Sequence, residues 1–238
     1  MPVEKISTEI ASSAVLFDLD GTLLDTPGAI AEQFASAVET VTGVNPGIDA
    51  ARRLVGRPLS EMAAALSGSA VESATAQAVS DEYVARYREV IVPAAAGLLF
   101  PGVRGGLARL ADAGLALAVV TSKKHASAEL ILESAGIRDD FAAVVGADDV
   151  EYPKPHRASG DLALATLGLA DAGPAGAVIG DTSADIELGD ALGTFTIGVT
   201  YGVYSAYQIT STAPDHVAHT FDDVVRTLLT RHRKRVRS

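Results

Sequence analysis

Apolar and polar positions change their period along this chain, and each change marks an element. Ala14-Val15-Leu16-Phe17 is an unbroken apolar run of strand length, followed at once by Asp18 and Asp20 with Leu19 between them. Such a run predicts a strand buried on both faces. From Pro27 to about Val92 the apolar residues recur at helical spacing instead, for example Ile30, Phe34, Ala37, Val38 and Val41. Pro27 suits a first helical turn and Gly43 a helix end. Further helical pieces are expected near 48–54, 58–66 and 70–90, with no strand among them.

After Pro101 helix and strand take turns. Helices near 103–113, 125–135, 158–167 and 183–191 precede apolar strands at Leu115–Val120, Phe141–Val145, Ala177–Ile179 and Thr194–Val199. A last helix covers about 221–233, and the polar residues 1–12 are expected to be loose. Strict alternation with near-continuous apolar strands predicts an α/β fold, a Rossmann-like parallel sheet core flanked by helices on both faces. The core is expected to comprise residues 1–26 and 93–238, with 27–92 an all-helical insertion.

Composition narrows the function classes. The chain has 238 residues, and 48% hydrophobic against 21% charged residues leaves ample material for a core. There is no cysteine, which excludes disulfides, thiolate metal sites and a cysteine nucleophile. No long apolar leader and no 18-residue apolar stretch occurs, so no membrane association and a cytoplasmic setting are expected. The net charge of −11 opposes a nucleic-acid partner. The exception is the basic tail Arg231 to Ser238, read as a solvated, frayed helix end whose cations favour a helix C-terminus.

The chemistry gathers beyond the carboxyl ends of the strands, where open parallel sheets bind ligands. The first strand delivers Asp18 and Asp20, and the second Thr121 and Ser122 followed by Lys123 and Lys124. The loop after the third contains Lys154, and the fourth ends in Gly180-Asp181 with Asp185 four residues on. Two acids so close repel each other and resist desolvation, unless a divalent cation sits between them or one keeps a proton. Asp18, Asp20 and Asp181 can bind a hard cation such as Mg²⁺. Lys154 with the hydroxyls and amides of Thr121 and Ser122 can hold phosphoryl oxygens, and a carboxylate can attack phosphorus.

Asp18-Leu19-Asp20-Gly21-Thr22-Leu23-Leu24-Asp25-Thr26, Val119-Val120-Thr121-Ser122-Lys123, Lys154-Pro155 and Gly180-Asp181-Thr182-Ser183-Ala184-Asp185 resemble, in this order, the four motifs of the haloacid dehalogenase superfamily. The chain resembles its phosphatase branch, in which a helical cap lies between the first two core strands. That resemblance implies Asp18 as nucleophile and Asp20 as general acid/base. It implies Mg²⁺ on the Asp18 carboxylate, the Asp20 backbone carbonyl and Asp181, with Asp185 behind them, either steadying Lys154 or reaching the metal through water. Thr121, helped by the amide of Ser122, would bind the transferring phosphoryl group. Asp20 distinguishes the chain from true dehalogenases, which lack an acid there.

Val55-Gly56-Arg57-Pro58-Leu59, Phe100-Pro101-Gly102-Val103 and Thr200-Tyr201-Gly202 with Ser205-Ala206 resemble phosphoglycolate phosphatases, whereas Arg157 stands where the third motif often has a second proline. The expected partner is a small phosphorylated metabolite met by a monomer or homodimer. A pyrophosphatase or nucleotidase, a β-phosphoglucomutase-like phosphomutase and a non-catalytic binding protein remain alternatives. Arg57 is a candidate contact to the leaving group, or a plain surface arginine. Asp25 either orients its loop or is structural, and Lys123 and Lys124 lie near the mouth without a defined partner. The five histidines form no ligand constellation: His216 and His219 sit on an edge segment, and His125 and His156 stand alone.

Overall fold

The computed structural model describes residues 13–170 and 176–236, so the start expected to be loose, residues 1–12, lies outside the described part. Six parallel strands form one sheet in the order β3-β2-β1-β4-β5-β6. They are β1 (Ala14–Phe17), β2 (Ala116–Val120), β3 (Ala143–Val145), β4 (Gly176–Gly180), β5 (Phe195–Val199) and β6 (His216–Ala218). β1 lies centrally, with Leu16 opposite Ala118 on one side and Val178 on the other. Successive side chains leave a strand on opposite faces. Val15 and Phe17 therefore join Leu117 and Val119 in one apolar cluster, whereas Ala14 and Leu16 join Ala118 and Val120 in a second. That two-sided burial is why the first run contains no polar residue.

Between β1 and the first core helix the chain is helical: α1 (Pro27–Thr42), α2 (Ile48–Arg52), α3 (Leu59–Ser67), α4 (Ala74–Arg86), a π-helical turn (Tyr87–Ile91) and α5 (Val92–Ala94). The expected helix over 70–90 starts late, because the Ser73 hydroxyl accepts the Ala76 N–H and sets the first turn. Phe34 of α1 stacks on Tyr83 of α4 with ring centroids 4.4 Å apart.

The core helices are α6 (Val103–Asp112), α7 (His125–Ala135), α8 (Ala158–Thr166), α9 (Ser183–Leu192), α10 (Ala206–Ser211) and α11 (Phe221–Val236). Leu107, Leu110, Ile131, Leu132, Phe221 and Val225 of α6, α7 and α11 cover one face of the sheet. Ala163 and Leu188 of α8 and α9 cover the other. β3 is shorter than expected, because Arg138–Asp140 form a 3₁₀ turn that the Phe141 N–H closes on the Arg138 carbonyl. The expected edge segment is β6, paired with β5. α10 has too few residues to show a period, yet Ser205 and Gln208 cap it reciprocally.

The basic tail is the expected solvated helix end, with Arg231, Arg233, Lys234 and Arg235 exposed, but it is not frayed. α11 runs unbroken to Val236, and the Arg231 guanidinium sits 3.4 Å from the centre of the Phe195 ring. Arg237 and Ser238 lie outside the described residues. No described helix is long and apolar enough to cross a membrane.

Candidate active site

The strand ends aim the site. Asp18 follows β1, yet its N–H still donates to the Ile179 carbonyl at 2.8 Å, so its backbone stays in register with the sheet. Thr121 after β2 is fixed likewise, its N–H donating to Val145 O at 2.9 Å. Beyond Asp18 the chain folds back tightly. The N–H groups of Leu23 and Leu24 converge on the Leu19 carbonyl, and Leu19, Leu23 and Leu24 are wholly buried beneath the turn. Gly21 adopts φ +88°, and a Cβ there would lie 2.2 Å from Asp181 Oδ2. Only glycine meets both conditions.

Asp18, Asp181 and Asp185 are buried, and each offers a carboxylate oxygen within 4.8 Å of the other two. Lys154 reaches into this group, its Nζ 2.6 Å from Asp18 Oδ1 and 2.6 Å from Asp185 Oδ1. Asp185 also accepts from the Thr182 hydroxyl at 2.7 Å and the Thr182 N–H at 3.1 Å. It thereby caps α9 and steadies the lysine at once. Asp181 accepts the Val203 N–H at 2.5 Å and the Thr22 hydroxyl at 3.3 Å.

Burial drives the electrostatics. It pushes Asp18 up to about 7; Lys154 opposes that rise, and Asp185 and Asp20 add to it. Asp181 is pushed well above the usual carboxylate range, again by burial first and then by repulsion from Asp18 and Asp185. Burial works against the charge of Lys154, but its two carboxylate partners outweigh it and hold the ammonium protonated. An all-oxygen, acidic and confined donor set of this kind fits a hard divalent cation.

The Asp20 carboxylate turns away from that group. It accepts from the Thr26 hydroxyl at 2.6 Å and pairs with Lys123 Nζ at 2.9 Å. Lys123 therefore does not lack a partner, as its sequence context suggested. Its ammonium also lies 4.4 Å from the centre of the Tyr87 ring, so two elements distant in sequence define its place. Lys124 is exposed. Thr121 is buried, with its hydroxyl accepting the Lys123 N–H at 3.2 Å.

A cavity of about 770 Å³, counted out to open solvent, lies between these strand ends and the helical segment. Asp18, Asp20, Thr121, Ser122, Lys123 and Lys154 line its floor. Arg57 stands at its rim, exposed. Asp181 and Asp185 lie behind the floor, wholly buried. Asp25 is outside the group: its side chain is exposed and its N–H donates to Leu98 O at 2.7 Å.

The histidines stay apart from the site, but His125 does not stand alone, because its Nδ1 lies 2.7 Å from Asp149 Oδ2. His156 is likewise partnered, accepting the Ala158 N–H through its own Nδ1 at 3.2 Å. Sequence reasoning missed Thr26, Tyr83, Tyr87 and the Val203 amide. Thr26 stood inside the first motif, whereas nothing local marked the other three.

Similarity to known proteins agrees with this geometry. A family model described as haloacid dehalogenase-like hydrolase matches residues 15–199. The chain is 41% identical over 211 residues to "Probable phosphatase IndB" of Dickeya dadantii, covering 89% of this chain and 91% of that one. It is 31% identical over 217 residues to a phosphoglycolate phosphatase of Photorhabdus laumondii, covering 90% and 92%. Among solved structures, that of a "predicted phosphoglycolate phosphatase" from Haemophilus somnus superposes with a TM-score of 0.80 at 23% identity, over 92% of this chain and 99% of that one. The last likeness is one of fold.

Proposed function

Because the chain belongs to the haloacid dehalogenase-like hydrolases and is a phosphatase, we propose that it is a Mg²⁺-dependent phosphomonoesterase of the cytoplasm. It would hydrolyse a small phosphorylated metabolite in two steps through phospho-Asp18. The observation that carries this reading is the buried Asp18 carboxylate at the base of the cavity, 2.6 Å from the Lys154 ammonium, with Asp20 also on the cavity floor.

In the first step an Asp18 carboxylate oxygen attacks phosphorus, and the ester oxygen leaves with a proton from Asp20. In the second, Asp20 takes a proton from water, which attacks the aspartyl phosphate; orthophosphate leaves and Asp18 is restored. Lys154 offsets charge on the phosphoryl oxygens, and the Thr121 hydroxyl with the Ser122 amide donates to them. The Asp18 and Asp181 carboxylates and the Asp20 backbone carbonyl would hold the Mg²⁺, and Asp185 would keep Lys154 in place. When bound, the ion neutralises charge on the phosphate dianion that otherwise repels the nucleophile.

Residues 27–92 act as a cap over a core of 1–26 and 93–238, closing to exclude bulk water and opening to exchange product. The test is a trap. Rapid quench during turnover, followed by peptide mass spectrometry, should place a phosphoryl group on Asp18, and beryllium fluoride with Mg²⁺ should block activity. A competent preparation with no adduct at Asp18 would overturn the reading.

A further inference from the structure

The roof of the cavity is made of different material from its floor. Ile30 and Val55 face it together with Leu59, Met62, Tyr83 and Val84, and none of these side chains carries a charge. The Tyr83 ring is held by Phe34, which also lines the cavity, stacked at 4.4 Å with 27° between the planes. The deep cations are already committed, Lys154 to Asp18 and Asp185, and Lys123 to Asp20 and the Tyr87 face. The cations left for a second anionic group on a substrate are Arg57 and Lys124, both on the exposed rim.

Resting on the phosphomonoesterase reading above, the geometry points to a leaving-group subsite for an uncharged, apolar group, a ring by preference, and against a leaving group that carries a carboxylate. Burying a carboxylate against Met62, Val55 and Ile30 without a cation costs its hydration. Meeting Arg57 at the rim recovers little, because exposed ion pairs are screened. An apolar ring loses nothing on entering and covers the roof, with its face or edge against Tyr83. The fixed aromatic pair shapes the slot, while the phosphate stays on the floor.

The test compares esters of primary alcohols, so that the leaving oxygens are nearly matched in reactivity: benzyl phosphate, ethyl phosphate and phosphoglycolate. We expect kcat/KM for benzyl phosphate to exceed that for phosphoglycolate at least tenfold, with ethyl phosphate between them. Val84→Arg, at a half-buried helix position on the roof, should narrow the gap in favour of phosphoglycolate. If phosphoglycolate matches or surpasses benzyl phosphate in the wild-type protein, the subsite is wrong and the phosphatase reading stands. If no ester is turned over with Mg²⁺ present, it is the phosphatase reading that fails. Calorimetric binding of benzylphosphonate against phosphonoacetate then reads the subsite on its own, and tighter phosphonoacetate overturns it.

Discussion

The floor and the roof of the cavity solve opposite problems. On the floor, Asp18, Asp181 and Asp185 sit in a dry environment that penalises their charge, and one lysine, two amides and two hydroxyls hold them in place. On the roof, Ile30, Phe34 and Met62 need no partner, because burial alone favours them. The floor is therefore brittle: each group depends on a specific neighbour, and its geometry is set by strands that cannot slide. The roof is tolerant, since apolar side chains of similar volume can replace one another. In the proposed reading, one chemistry is kept below and selectivity is left to the surface above.

The contrast is broken most severely at the proposed nucleophile. Asp18→Asn should lower kcat on the order of 10⁴-fold or more while the fold persists, read by steady-state phosphate release and circular dichroism. Lys154→Met comes next. It strands two buried carboxylates and should cost about 3–5 kcal/mol of stability in urea unfolding, part of which Asp185→Asn in the same chain should return.

A third effect follows from pH. Burial holds Asp18 at about 7 in the folded state against 3.8 for the free group. The folded protein keeps a proton that the unfolded chain releases, so this contribution is whole below the unfolded value and fades as pH climbs towards 7. The slope is at most about 1.4 kcal/mol per pH unit. Melting in EDTA from pH 4 to 7, taken as the difference between wild type and Asp18→Asn, should show this decline. Mg²⁺ favours the ionised acids, so its added stabilisation should grow over the same interval; a pH-independent Mg²⁺ effect would contradict the electrostatics.

Gly202→Ala is milder. The new Cβ would meet Asp181 Oδ2 at 2.2 Å and the Gly21 carbonyl at 2.4 Å, so Asp181 must move. Mg²⁺ affinity should fall about 10–100-fold, as for other changes that misalign a ligand, measured by titrating activity and by calorimetry. Smallest is Phe34→Leu on the roof. It forfeits the Tyr83 stack for about 1 kcal/mol of stability and should alter KM more than kcat, the reverse of every floor variant.

How much of this was legible can be argued residue by residue. Asp18, Thr121 and Asp181 could be placed because each directly follows an apolar strand, and a parallel sheet brings its carboxyl ends to one edge. Lys154 was legible by order along the chain, although nothing in its loop says which carboxylates it will bridge. Asp185 could be read either as a helix cap or as a site residue, and in the fold it caps α9 while also pairing with Lys154. Lys123 had no visible partner, since Asp20 and Tyr87 lie in separate segments and meet it through docking of the helical segment on the core. The tail is solvated as its composition implies, but its order was hidden for a similar reason: Arg231 finds its ring on β5, out of sight of a local pattern.

By itself the sequence determined the period of each element, the parallel sheet and the acids at its strand ends, because periodicity and turn chemistry act between near neighbours. Only the tertiary structure decided that Gly21 and Gly202 press against Asp181, that Lys123 spans Asp20 and Tyr87, and that the roof above them carries no charge. Those facts depend on contacts between residues far apart along the chain, and no local pattern encodes the distance at which they meet.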